Sequence, residues 1–259
     1  MSDQETSPCA EGKPCAGQPA ERTSGAGKRS RKVSRAHRPH GGRGRVLVAR
    51  LDGAGDVLLA VARAAGCELP KGDEGNLAVQ RPLSDIGEIS GHLLGVGADA
   101  GKRAYVVVHP GTSAPARTWP AERHRQAVRE LTEDGHQVVV TGTERDLTAY
   151  VASDVAADLG GVTTFAELAA VIERVSVLVA GDTGPAHLAA VVGTPVVSLF
   201  APVVPAARWA PHGVPAVLLG DQRAPCRGSR ARTCPVPGHP CLSQVTSEQV
   251  VKAVRELTQ

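Results

Sequence analysis

Three short stretches carry residue types suited to chemistry: "HPGTSAPARTWP" from His109, "TGTE" from Thr141 and "GDTGPAH" from Gly181. Each follows a run of valine and other apolar residues, so each is expected at the carboxyl end of a buried strand, where open parallel sheets bind ligands. In the third stretch, Thr183 is expected as a helix N-cap and Pro185 in the first turn, where its missing N–H costs little. The N–H groups of Gly184, Ala186 and His187 are then expected to point outward at the positive helix end, a ready phosphate or pyrophosphate site. Asp182 beside them cannot favour phosphate directly. It is suited either to accepting hydrogen bonds from sugar hydroxyls or to capping the helix. Arg117 can clamp a phosphate in bidentate fashion, Thr112 and Ser113 can add hydroxyl donors, and Glu144 is placed to accept bonds from a ribose. Gathered on one edge, these residues describe a pocket for a nucleotide-diphosphate-sugar. "DTG" after an apolar run also occurs in aspartic proteases, but those are all-β and need a second carboxylate to share the proton. Here the motif leads into a helix.

The elements that must position these loops alternate along the chain. "YVVVHPG", "QVVVTG", "SVLVA", "PVVSLF" and "AVLLG" read as strands. Between and after them, "PAERHRQAVRELTEDG", "ERDLTAYVASDVAADLG", "FAELAAVIERV", "PAHLAAVV" and "SEQVVKAVREL" read as helices. Such alternation implies a parallel sheet covered on both faces. Upstream, "RVLVAR" and "DVLLAVARAA" form one β-α unit with Gly53 and Gly55 in its turn. Residues 67–103 are Gly-rich and weakly periodic, with a short helix expected near 84–95.

Residues 1–44 are rich in Gly, Ser, Pro, Arg and Lys and are expected to be a disordered basic tail. Residues 1–45 hold ten of the chain's 29 Lys/Arg and four of its 26 Asp/Glu, which leaves 19 basic and 22 acidic groups for the rest. The body is therefore mildly acidic, which argues against an extended nucleic-acid face. No stretch approaches the roughly 20 apolar residues of a membrane span, and the N-terminus lacks the apolar core of a secretory signal. The expected location is the cytoplasm, with peripheral contact at the inner face of the membrane.

"RLDGAGDVLL", "HPGTSAPARTWP", "GDTGPAHLAAVVGTPVVSLFAP" and "PCRGSRARTCPVPGHPC" together resemble the bacterial heptosyltransferases of glycosyltransferase family 9. The likeness covers residues 104–259 almost continuously and an island at 45–66. It implies the GT-B fold: a Rossmann-like C-terminal donor domain with a parallel sheet, here beside a truncated remnant of the N-terminal acceptor domain at 45–66 and an irregular linker at 67–103. It also implies inverting transfer of a heptose or related sugar from an ADP-linked or similar donor to a saccharide or glycolipid acceptor, with no cofactor and no metal. By the same resemblance Asp56 is the general base. Asp182 contacts the donor sugar, and backbone N–H groups from Thr183 through Gly184 to His187, around Pro185, hold the diphosphate. Thr112, Ser113 and Arg117 support the phosphates and Glu144 meets the ribose. The shortened acceptor region opens an alternative, a nucleotide-binding module that transfers nothing. A further alternative is a nucleic-acid or anionic-surface binder acting through the tail.

Six cysteines in 259 residues do not make a secreted disulfide framework. Cys226, Cys234, His239 and Cys241 lie within sixteen residues, but their spacing lacks a CxxC pair. Packed or redox-labile thiols are expected there, not a metal.

Overall fold

The computed structural model describes residues 83, 85–87, 89 and 105–259. Its framework is a six-stranded sheet in which every pairing is parallel. The strands are β1 (Tyr105–His109), β2 (Gln137–Gly142), β3 (Ala157–Gly160), β4 (Val177–Gly181), β5 (Val196–Leu199) and β6 (Ala216–Leu219), and their order is β3-β2-β1-β4-β5-β6. The helices are α1 (Ala121–Glu133), α2 (Arg145–Ala152), α3 (Phe165–Glu173), α4 (Gly184–Val192), α5 (Ala206–Trp209), α6 (Pro240–Ser243) and α7 (Ser247–Thr258). This is the parallel α/β sheet expected for the C-terminal domain.

The valine runs explain the layering. Successive side chains of a strand point to opposite faces, so a run such as Val106-Val107-Val108 supplies both. Val106 and Val108 join Val138, Val140, Val177 and Val179 in a core closed by α1, α2 and α7. Val107, Val139, Leu178 and Ala180 join the opposite core, closed by α3 and α4. Ile86 and Ile89 are buried in that second core, and Gly87 and Ile89 are helical, in accord with the helix expected near 84–95.

Helix ends follow local chemistry. Thr164 with Glu167, and Thr246 with Gln249, form reciprocal capping boxes at the starts of α3 and α7. Gly193 closes α4 in the left-handed region, with φ 84°.

One expected element was too long. The helix expected over "ERDLTAYVASDVAADLG" ends at Ala152, and its last residues form β3. Ser153 breaks it by adopting φ 54°, and Ala157–Gly160 then pairs with β2 as an edge strand. Alanine-rich sequence favours helix locally, but the open edge of β2 outweighs that preference. Residues 1–82 lie outside the described residues, and with them the basic tail, the β-α unit at 45–66, Gly53, Gly55 and Asp56. So does most of the 67–103 linker.

Candidate functional site

Chain order reverses between β1 and β4, whose neighbours run to β3 on one side and β6 on the other. Such a switch point opens a crevice beyond the carboxyl ends of the two strands. The loops leaving β1 and β4 carry Thr112, Ser113 and Arg117 on one side and Asp182, Thr183 and Gly184 on the other. Glu144 follows β2, the next strand along, where it is exposed at the N-cap position of α2.

The β1 loop folds back on itself. Thr112 Oγ1 lies 2.6 Å from Thr118 Oγ1 and donates to the Ala114 carbonyl at 3.2 Å. A single 3-10 turn, Pro115–Arg117, then returns the chain to the sheet edge. Ser113 stands exposed at the bend. Gly181 lets the two loops approach: a Cβ there would sit 3.2 Å from Thr112 Cγ2 and 3.4 Å from the Arg117 carbonyl oxygen. Gly181→Ala is therefore expected to displace the β1 loop and to cost about 1 kcal/mol of stability, which chemical denaturation checks.

Asp182 is 5 % exposed. Its Oδ2 lies 3.1 Å from Arg117 Nη1, and its Oδ1 lies 3.8 Å from His187 Nε2. The Arg117 contact is an offset ion pair, not an aligned hydrogen bond: Asp182 Oδ2 and Arg117 Nε are both buried without a hydrogen-bond partner among the described residues. Burial raises the Asp182 carboxyl above the ordinary carboxylate range, against the opposing pull of Arg117 and then His187. Sequence spacing offered Arg117 and Asp182 separate ligand contacts. The structure joins them.

Thr183 is the N-cap residue of α4, so Asp182 does not cap the helix. The Thr183 hydroxyl does not cap it either; it donates to the Gly181 carbonyl at 3.3 Å. The expectation that Ala186 and His187 present free N–H groups is corrected, because both donate to the Thr183 carbonyl, at 3.1 and 3.4 Å. Pro185 has no N–H, which leaves Gly184, exposed at the first helical position, as the first-turn amide without an intrahelical acceptor.

His109, at the end of β1, belongs to this edge although its spacing to other polar residues did not single it out. Its Nδ1 lies 3.0 Å from Thr141 Oγ1, and burial lowers its pKa to about 4, so the ring is neutral at neutral pH. The only sequence signal was its place at a strand end.

A second missed feature holds the Arg117 turn. Ala116, fully buried, donates its N–H to the Arg232 carbonyl at 2.9 Å and accepts from His239 Nε2 at 3.0 Å. A carbonyl only accepts, so Nε2 carries the proton. His239 makes this contact from the left-handed region, φ 50°, which a non-glycine residue adopts only when its surroundings hold it there. The ring that spacing grouped with three thiols is thus engaged with the β1 loop. Cys226 and Cys241 are buried with their sulfurs 3.8 Å apart, and Cys234 packs against the same core. Burial raises both buried thiols, Cys241 to about 12 with Cys226 contributing, so they stay protonated at neutral pH. Among the described residues no helix is long and apolar enough to cross a membrane.

Comparison with known proteins agrees with this architecture. A lipopolysaccharide heptosyltransferase 3 from Escherichia coli is 30 % identical over 165 residues, covering 59 % of this chain and 46 % of that protein. Among solved structures, a glycosyl transferase family 9 protein from Veillonella parvula superposes with a TM-score of 0.65 at 22 % identity, covering 81 % of this chain and 62 % of the other. The E. coli ADP-heptose LPS heptosyltransferase II gives a TM-score of 0.51 at 20 % identity, covering 70 % and 53 %. This chain spans less than half the length of the curated relatives it matches. The family model for glycosyltransferase family 9 (heptosyltransferase) matches residues 61–239, and the chain belongs to that family.

Proposed function

We propose that residues 104–259 form the donor-binding domain of a glycosyltransferase, taking an ADP-linked or similar nucleotide-diphospho-sugar at the crevice between β1 and β4. The observation that carries this reading is the buried Asp182 carboxylate set against Arg117, with unused hydrogen-bonding capacity on both, beside the start of α4. Arg117 and the Gly184 N–H supply positive charge for a diphosphate, aided by the Thr112 and Ser113 hydroxyls. Asp182 accepts from hydroxyls of the donor sugar, His187 supports that carboxylate, and Glu144 accepts from the ribose.

In the inverting reaction an acceptor hydroxyl attacks the anomeric carbon from the face opposite the diphosphate. The new C–O bond forms as the bond to the diphosphate oxygen breaks, and the leaving group keeps the electron pair. The hydroxyl proton passes to a general base, for which Asp56 is the candidate. Arg117 and the α4 terminus stabilise the charge that develops on the departing diphosphate. The transferred sugar is a heptose or a close relative. The acceptor is a saccharide or glycolipid met at the inner face of the membrane, with residues 45–66 as the remnant of the acceptor domain and 1–44 as a basic tail.

Calorimetric titration with ADP, UDP and ADP-heptose tests the reading. Wild type is expected to bind the ADP-linked ligands, and Asp182→Ala to lose the preference for ADP-heptose over ADP. Absence of binding by wild type to any of the three sinks the proposal. Binding with no transfer, indifferent to Asp56→Ala, would favour a nucleotide-binding module over an enzyme.

A further inference from the structure

The loop from Arg223 to Arg232 carries four arginines in ten residues, all exposed, and no aspartate or glutamate occurs between Gln222 and Ser247. Residues 105–259 hold 13 Lys/Arg against 14 Asp/Glu, so nearly a third of that domain's cations sit in one loop. Like charges at this density repel, and folding gains nothing by collecting them. Among the described residues none of the four guanidinium groups forms an ion pair.

A mobile loop would relieve the repulsion by splaying, but this one is pinned by its backbone. Gly228 and Arg230 donate their N–H groups to the Pro202 and Val203 carbonyls, each at 2.8 Å, and the Arg232 carbonyl accepts from Ala116 at 2.9 Å. Arg230 holds a left-handed φ of 55° within this frame. Pro202 and Val203 follow β5, and Ala116 lies in the turn that presents Arg117. The anchors therefore run along the carboxyl edge of the sheet, the edge that bears the Arg117–Asp182 pair.

We propose that the Arg223–Arg232 loop is a rim that docks a phosphate-bearing saccharide acceptor beside the donor. The proposal rests on the reading that the donor occupies the Arg117–Asp182 crevice. Guanidinium groups match phosphate oxygens in a two-bond fork, and fixed cations at the mouth of a crevice concentrate an anionic substrate there. Nucleic acid fits less well, since it needs an extended basic face and the rest of the domain is acidic.

The test compares the full chain with its Arg227→Gln/Arg230→Gln/Arg232→Gln variant, which keeps every backbone anchor and leaves the N-terminal tail identical. The probes are ADP, a phosphorylated disaccharide (trehalose 6-phosphate), the same disaccharide without phosphate, vesicles of phosphatidylglycerol and phosphatidylcholine, and a single-stranded oligonucleotide. ADP affinity is expected to stay unchanged, while affinity for the phosphorylated disaccharide falls about tenfold at low salt. The difference is expected to shrink as salt screens the charges, and the unphosphorylated sugar to be indifferent. A loss seen on vesicles alone would make the loop a membrane-surface contact and overturn its role in docking a saccharide. Unchanged binding of both phosphate probes, or a loss confined to the oligonucleotide, overturns the rim. Failure of wild type to bind ADP, with the phosphate-dependent loss still present, removes the donor reading and not the rim.

Discussion

Replacing Arg117 with alanine is expected to weaken ADP binding about a hundredfold, the equivalent of one charge-assisted phosphate clamp at roughly 2–3 kcal/mol. The same change strips the nearest cation from a carboxylate that is 5 % exposed. Burial already raises the Asp182 pKa while Arg117 opposes the shift, so losing Arg117 raises it further. The sign follows from linkage. A carboxyl with a raised folded-state pKa binds more protons folded than unfolded, so stability falls as pH climbs from the ordinary carboxylate value through the raised one. The penalty in Arg117→Ala relative to wild type should therefore be largest near neutral pH, on the order of 1–3 kcal/mol given the partial exposure of Arg117. It should shrink as pH falls below the ordinary carboxylate range. Urea denaturation of both proteins at matched pH values reads that difference, and Arg117→Ala/Asp182→Asn should recover the stability without recovering ADP binding. A penalty independent of pH would mean that the pair does not govern Asp182.

The strand-and-helix rhythm from Tyr105 onward was legible because its signals are local. Valine runs, Pro120 at the start of α1 with Gly135 just past its end, and Pro185 in the first turn of α4 fix elements without reference to distant chain. β3 was not legible for the complementary reason: "ADLG" becomes a strand only through its hydrogen bonds to β2. The candidate site divides the same way. Strand-end position singled out Arg117, Asp182 and Glu144, but the joining of Arg117 to Asp182 depends on β1 and β4 being neighbours, which no local pattern states. The Ala116 clasp is more distant still, since His239 reaches across 123 residues to a backbone carbonyl. An alanine flanked by proline and arginine gives no hint that both of its backbone groups are claimed.

Acid is expected to begin destabilising the domain from about pH 6.5 downward, above the range in which ordinary surface carboxylates titrate, and two histidines account for it. His124 is 2 % exposed in α1, its ring edge-on to Trp119 at 4.7 Å and 79°, with Nδ1 unpartnered among the described residues. Burial lowers its pKa to about 3, with His109 contributing, and burial lowers His109 to about 4. A histidine held neutral in the folded state binds fewer protons there than when unfolded. Its contribution is therefore complete above the unfolded value near 6.5 and is lost as pH falls toward the folded values. At about 1.4 kcal/mol per pKa unit, the two rings together put on the order of several kcal/mol at stake between roughly pH 6.5 and pH 3, a large share of the 5–15 kcal/mol typical of a domain. Denaturant midpoints should fall steadily through that window. His124→Phe keeps an aromatic ring against Trp119 and removes the unpartnered Nδ1, so it should stay within about 1.5 kcal/mol of wild type at pH 7. Below pH 6 it should be the more stable of the two, because the ring that would have to charge is gone. Parallel acid profiles for wild type and His124→Phe would show that the buried ring is not what acid attacks.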